Sequence, residues 1–532
     1  MYDSKALLSH KWIDAIFVSA CLFLSAVTAW IGAVHTYRFG HDIMLMLDGA
    51  WRVLNGQRPS VDFTSSGWGP IPFLLYAGGL RLAHFGVQGI GYAHAVLGFA
   101  IGLWSYRISI QRMNRVLAAV VSISLVLLVV SPYPIGYDRH WLSHAMAYNR
   151  QGYALLSLVM LESLQDLRDG RSGEWLLSGV STGLACAMLL FLKANFGLVA
   201  ICVAGLSLFL FGPARTRLVG MALGATLATV PLLAYLHFDV AALWRDLSIA
   251  AGARADAVSV WKLGWNAWDH ASEALPILFL AMLLGWEHSQ RGASRLVALQ
   301  PTLFWAVVAG AGVLLLSTNA QVDGFPLSGV LALIFANQVW DLNACAPPYR
   351  AALIALSLVT FLPQPLNDGT GLLRAAMQAR RTPPLDVVTR FDSPVLSKLL
   401  LFDLEDSPDW ERRSNGNVYV ETLNEGFDLV RRNSNPSETV RDLDAFDPFA
   451  YALQRTPARG GAVALSYENS FDDTHKQPAD WLYGSADIVL LPLYPSSPLF
   501  SHAAILRNYE APVLAKYKLC AESPHWKLYK RK

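Results

Sequence analysis

An α-helical polytopic membrane protein followed by a C-terminal α/β domain is the fold class that three features of this sequence predict. Hydrophobic residues make up 54% of the 532 positions and charged residues 15%, where soluble domains carry roughly 25% charged residues. The mean hydropathy is +0.34. The apolar runs are long enough for a hydrocarbon core and are confined to 13–363, while 366–532 reads as an ordinary globular chain. Two domains follow, 1–365 in the membrane and 366–532 outside it.

About eleven spans are expected, at 13–34, 89–106, 116–131, 148–164, 175–191, 196–212, 218–236, 271–286, 299–317, 325–340 and 351–363. The first is longer than a signal-peptide core and reads as a retained anchor. Segment 71–86 is short, broken by Gly78, Gly79, Arg81 and His84, and reads as interfacial. The positive-inside rule supports that choice. With Lys5 and Lys11 in the cytoplasm, the inside loops then collect Arg107, Arg112, Arg115, Arg168, Arg171, Arg215, Arg217, Arg291, Arg295 and Arg350. Segments 35–88, 132–147, 237–270, 318–324 and the tail are thereby expected on the outer face. In the tail, strand-like runs at 417–420, 462–466 and 486–491, a helix at 422–432 and a closing hairpin over 517–529 predict the α/β domain.

With a net charge of only +2, nothing in the charge balance points to a nucleic-acid partner. Five scattered cysteines form no disulfide framework or metal motif. The membrane region lacks the inverted repeat common in secondary transporters.

The first outer loop is long and rich in residues that carry chemistry, and long structured loops are usually functional. Asp42 lies just beyond the first span, Asp48 follows on an amphipathic helical stretch ended by Gly56, and Asp62-Phe63 leads to a Gly-Trp-Gly-Pro turn. A carboxylate near the membrane surface can act as general base toward an acceptor hydroxyl or amine. The competing reading has these aspartates capping helices or pairing with Arg38, Arg52 and Arg58.

A second set is cationic: Arg139 in the loop 132–147, Arg150 beside Tyr148 and Asn149, and Lys193 with Asn195 in a tight turn between spans. Charges at membrane depth are costly and point to an anionic partner, here a lipid phosphate. Snorkelling to the headgroups is the alternative. Trp261, Trp265 and Trp268 read as an interfacial aromatic belt, Asp323 as a turn residue, and Asp472, Asp473 and His475 as a solvated loop rather than a metal site. Arg374, Arg380 and Arg381 form a basic cluster just after the last span, suited to headgroup phosphates.

The pattern HD at 41–42, LDGAWRVLNGQRPSVDF at 47–63 and GPIPFLLYAGGLRLAHFG at 69–86, with YNRQGYALL at 148–156 and LKANFGL at 192–198, resembles the GT-C polyprenyl-phosphate-sugar glycosyltransferases, among them protein mannosyltransferases and aminoarabinose transferases. The resemblance is concentrated in 37–90. It implies a sugar donor linked to polyprenyl phosphate, an extracytoplasmic glycan or glycolipid acceptor, inversion at the anomeric carbon, and a bacterial inner-membrane location. It also implies an acidic base early in the first outer loop, which matches Asp42. His41 and Ile43 flank that residue where the superfamily commonly pairs two acids, so Asp48 is the nearest reserve. No cofactor is required by the sequence, and members of the superfamily differ in their need for a divalent cation. A lipid-linked-sugar flippase or transporter and a non-catalytic subunit of the same fold are the alternative functions.

Overall fold

The structure, a computed structural model, describes residues 4–164, 172–211, 215–254, 259–290, 295–318, 326–340, 347–381, 383, 387–403 and 409–532. Asp323, most of the loop 318–324, and Arg168, Arg171 and Arg291 lie outside the described residues.

Each expected span coincides with a helix: Ser4–Ile31, Gly89–Ser109, Arg115–Val130, Ala147–Glu162, Ser172–Leu192, Ala194–Phe211, Arg215–Tyr235, Ala271–Gln290, Arg295–Thr318, Leu327–Trp340 and Pro347–Phe361. Within these, His10–Ile31, Gly173–Leu192, Ala194–Phe211 and Arg215–Tyr235 are long and apolar enough to cross a membrane. Their outward faces are apolar, with Phe209 83% and Phe23 67% exposed. Such a face costs about 25 cal/mol per Å² in water and nothing in lipid, so the predicted polytopic membrane fold is borne out. Helices Ser172–Leu192 and Arg215–Tyr235 pack backbone to backbone: a Cβ at Gly183 would stand 2.0 Å from the Met221 carbonyl oxygen. Small residues permit such close crossings where no hydrophobic effect drives association.

Segment 71–86 forms the helix Pro70–Leu82, 13 residues long. It packs between helices Gly40–Leu54 and Gly89–Ser109.

The long loops and the tail gather at one end of the helical bundle. Tyr37 N–H donates to the Leu142 carbonyl, His41 N–H to that of Ser414, and the Trp51 indole to that of Arg455. The loop 237–270 contributes helices Val240–Ala253 and Val260–Asp269 to the same end. Ile43, Leu47, Phe63 and Phe73 of the first loop share a continuous apolar core with Leu401, Tyr419, Val440, Phe449 and Leu490 of the tail. Neither segment buries that surface alone.

The tail holds a four-stranded sheet, β1 (Val440–Asp442), β2 (Ile488–Pro492), β3 (Tyr517–Glu522) and β4 (Trp526–Arg531), in the order β1-β2-β4-β3. β1 and β2 are parallel, while β2 with β4 and β3 with β4 are antiparallel. The expected hairpin and the strand near 488 are present. The expected strand at 417–420 is instead the first turn of helix Asn417–Asn433, whose buried face runs unbroken from Tyr419 to Val430. The expected strand at 462–466 joins no sheet; Ala462 bridges Thr64 of the first loop. β1 was not anticipated, because three wholly buried residues show no alternation. Helix Pro363–Ala379 was also not anticipated, and the expected domain boundary at 365/366 falls inside it.

Candidate functional site

Helix Gly40–Leu54 begins after Phe39, whose φ is 59°, and it has no side-chain cap of its own. The tail supplies the cap instead: the Gly40 N–H donates to Asn415 Oδ1 at 3.0 Å and the His41 N–H to the Ser414 carbonyl at 3.0 Å. Asp42 therefore sits in a first helical turn fixed from outside, where the helix dipole favours an anion. Its carboxylate lies 3.4 Å from His41 Nε2 and is 23% exposed. Burial pushes the Asp42 carboxyl above its ordinary value, against the opposing pull of His41. A carboxylate so placed is a stronger proton acceptor than one in water.

Six residues on, Asp48 has a different environment. It is fully enclosed, accepts from Arg52 Nε at 2.9 Å, and lies 3.9 Å from Arg441 Nη1. Arg441 is in turn 3.3 Å from Asp447, and Arg52 also donates to the carbonyls of Ala458 and Gly460 at 2.9 Å. The expectation of Asp48 as a reserve base is corrected: no substrate reaches a carboxylate with both its cations inside the seam between first loop and tail. Asp62 is held by Arg58 through its backbone N–H at 2.9 Å and Nε at 2.7 Å. Burial alone would raise the Asp62 carboxyl, but these bonds hold it below its usual range. It shapes the loop.

The cationic residues also divide. Gly69 permits the first loop to run against the turn at 191–193, since a Cβ there would lie 1.8 Å from the Phe191 carbonyl oxygen. That contact sets Trp68 against Lys193 in an antiparallel bridge. Lys193 Nζ stands 5.0 Å above the Tyr148 ring, and Trp68 meets the same ring at 5.5 Å. Tyr148 is within electrostatic reach of both Asp42 and Arg254. Asn195 donates to Thr318 Oγ1 at 3.0 Å.

Lys193 and Asn195 open onto a cavity of about 710 Å³, with Trp68, Trp244, Arg254 and Lys262 in its wall. Leu198 and Leu247 line its apolar side, and no carboxylate is among the described residues lining it. Arg254 is aimed by two hydrogen bonds, to the Asn469 carbonyl at 2.9 Å and that of Thr318 at 3.2 Å. Helix Val240–Ala253 is fastened over the cavity by Asp246, which accepts from Ser60 Oγ at 2.8 Å, the Ser65 N–H at 2.8 Å and Ser65 Oγ at 2.6 Å.

No protein-family model and no curated protein matches the chain. Among solved structures, ArnT from Cupriavidus metallidurans in the apo state is similar at 14% identity, covering 98% of each chain with a TM-score of 0.44. The same protein bound to undecaprenyl phosphate is similar at 13% identity, again over 98% of each chain, with a TM-score of 0.41. At that level of identity and superposition the likeness carries no argument about this chain.

Of the three residues expected to converge, Lys193 lines the cavity, while Asp42 and Arg150 are not among its described lining residues. Arg150 points away from the cavity into the bundle, pairs with Asp368 at 2.7 Å, and donates to the carbonyls of Tyr133 and Leu128 at 2.6 and 3.1 Å. It is 1% exposed. The expectation that Arg150 binds a lipid phosphate is therefore corrected, its anion being Asp368 on the unanticipated helix Pro363–Ala379. Asn149 is buried beside it. Arg139 is exposed and donates to Asn367 on that same helix at 2.6 Å, away from the cavity wall. Asp472 is used within its own loop, accepting from the N–H groups of Thr474 and His475 and from His475 Nδ1.

Reading the tryptophans of loop 237–270 as an aromatic belt leaves Arg254 and Lys262, visible there as basic residues, without a site role, and gives none to Asp246. The signal available was helical spacing: Asp246 and Arg254 are two turns apart, on a helix capped by Asp239.

Proposed function

We propose that the chain is a membrane glycosyltransferase of the GT-C type that moves a sugar from a polyprenyl-phosphate-linked donor to an extracytoplasmic glycan or glycolipid. The observation that carries the reading is the cavity itself: Arg254 and Lys262 share one mouth with Lys193 and an apolar wall, and none of its described lining residues is a carboxylate. An amphipathic phosphate fits that combination, its headgroup neutralised by the cations and its chain lying along Leu198 and Leu247.

In this reading Asp42 takes the proton of an acceptor hydroxyl or amine as that atom bonds to the anomeric carbon. The bond from the anomeric carbon to the phosphate oxygen breaks, and its electron pair leaves on the lipid phosphate. Lys193 and Arg254 stabilise the charge developing on that leaving group. Lys193 Nζ lies over the Tyr148 ring, and Tyr148 is within electrostatic reach of Asp42. The site faces the outer side of a bacterial-type inner membrane, with the N-terminus cytoplasmic.

Purified protein given a lipid-phosphate sugar and acceptor is expected to release lipid phosphate and form a glycoside. Asp42→Asn should abolish both while the protein stays folded. Unchanged turnover in that variant would remove Asp42 from the mechanism, and lipid movement without glycoside would replace the transferase by a flippase.

A further inference from the structure

Helix Pro363–Ala379 plays no part in the transfer reaction, yet its surface has three distinct faces. One face is inside the protein: Asp368, Gly371, Leu372 and Ala375 are buried. Asp368 anchors it, pairing with Arg150 and accepting from Tyr133 Oη at 3.0 Å and Gln364 Nε2 at 2.9 Å. The second face is apolar and turned outward. Leu366 and Leu373 are each 59% exposed and Met377 53%. These positions follow helical spacing and continue the exposed apolar surface of the first span at Trp30, over whose ring Arg380 lies at 5.8 Å.

The third face is basic. Asn367 and Arg374 are seven residues apart and so stack on one line of the helix, and Arg381 follows two residues past its end. Arg139 is tied to Asn367 at 2.6 Å and extends that line. Tyr37, held by Gln378 Nε2 at 2.9 Å, lies within electrostatic reach of both Arg374 and Arg381. The neighbouring acids are committed elsewhere, Asp138 to His140 at 2.6 Å and Asp368 to Arg150. Among the described residues no ion pair includes Arg139, Arg374, Arg380 or Arg381. A helix with one side fixed in protein, one side apolar and one side basic has the makeup of an element lying flat in the interface of a bilayer.

We infer that helix Pro363–Ala379 is a docking surface for anionic phospholipids, whose phosphates sit along the line Arg139, Arg374 and Arg381 while their chains cover Leu366, Leu373 and Met377. Charge complementarity and continuity with the apolar belt of the spans select a lipid over a second copy of the chain. A protein partner would leave the basic line opposite no stated acid, and a soluble anion would leave the leucines bare. The surface is separate from the cationic cavity, so lipid docking and sugar transfer can fail independently.

The test uses the full chain in detergent, relipidated with equal parts phosphatidylglycerol and phosphatidylethanolamine, with retained lipid counted by native mass spectrometry. Wild type is expected to retain phosphatidylglycerol in clear excess. Raising the salt from about 0.1 to 1 M should strip that excess, because screening shortens the reach of the charges. The double variant Arg374→Gln/Arg381→Gln should lower the enrichment about tenfold, and Arg374→Lys/Arg381→Lys should keep most of it. Elution volume and melting temperature of both variants should match wild type.

An unenriched wild type, or equal enrichment in wild type and the Gln variant, overturns the inference. So does a change of oligomeric state in the Gln variant, which would make a second copy the occupant, or full displacement of phosphatidylglycerol by millimolar inorganic phosphate at constant ionic strength. Release of lipid phosphate from a donor sugar, measured on the same samples, reports separately on the transferase reading.

Discussion

Two clusters of charge lie a short way apart at the tail-bearing end of the molecule, and they are built on opposite principles. In the seam between first loop and tail, Asp48, Arg52, Arg441 and Asp447 are enclosed together, each cation facing a carboxylate. In the cavity, Lys193, Arg254 and Lys262 share a wall with tryptophan and leucine and with no described acid. A buried charge must be compensated or it forfeits its hydration. The seam is compensated from within and so serves the fold. Arg254 and Lys262 meet no described acid in the cavity wall, which makes it the place to look for a ligand. Arg150 belongs with the seam in kind, since its compensation by Asp368 is internal.

The largest expected effect would come from breaking the compensated side. Asp48→Ala leaves Arg52 and Arg441 facing one carboxylate fewer, and a loss of about 3 to 5 kcal/mol is expected, read as a lower melting temperature and reduced folded yield. A variant as stable as wild type would show that the seam does not hold loop and tail together. Arg150→Met should cost about as much for the same reason. The double variant Arg150→Met/Asp368→Leu should recover most of that stability and retain turnover, whereas lost turnover with restored folding would return Arg150 to the site.

Breaking the open side should show the reverse pattern. Lys193→Met and Arg254→Gln are each expected to lower donor turnover by roughly a hundredfold. Asp42→Asn should lower turnover by about 10² to 10⁴. In wild type the acid limb of the rate profile should lie above the ordinary aspartate value of about 3.9, because burial raises the Asp42 carboxyl.

The smallest effect is a pH slope in stability. Burial, with Asp48 adding to it, pushes Asp447 up to about 6 against the pull of Arg441 and Arg52. The folded state then holds this proton more tightly than the unfolded chain. Its contribution is present in full below about pH 4 and is lost as the pH rises through about 6. Melting temperatures compared at pH 4.5 and 6.5 should fall on going up, and Asp447→Asn should flatten that slope; a slope unchanged in the variant assigns it to other groups.

The sequence by itself determined the membrane fold and singled out Asp42 and Lys193 as the residues to examine, because hydropathy and the order of loop motifs are properties of the linear chain. Asp48 and Arg150 show where that reading stops. From sequence, Asp48 and Asp42 are two acids on one short helix, and Arg150 and Lys193 are two cations beside asparagines at membrane depth. Only the tertiary structure brings Arg441 over Asp48 and Asp368 under Arg150, from partners hundreds of positions away, and leaves a cavity against Lys193. A charge is structural or functional according to whether its counter-charge is already in the protein, and the pairing of residues so distant in the chain is decided by packing, which no local pattern records.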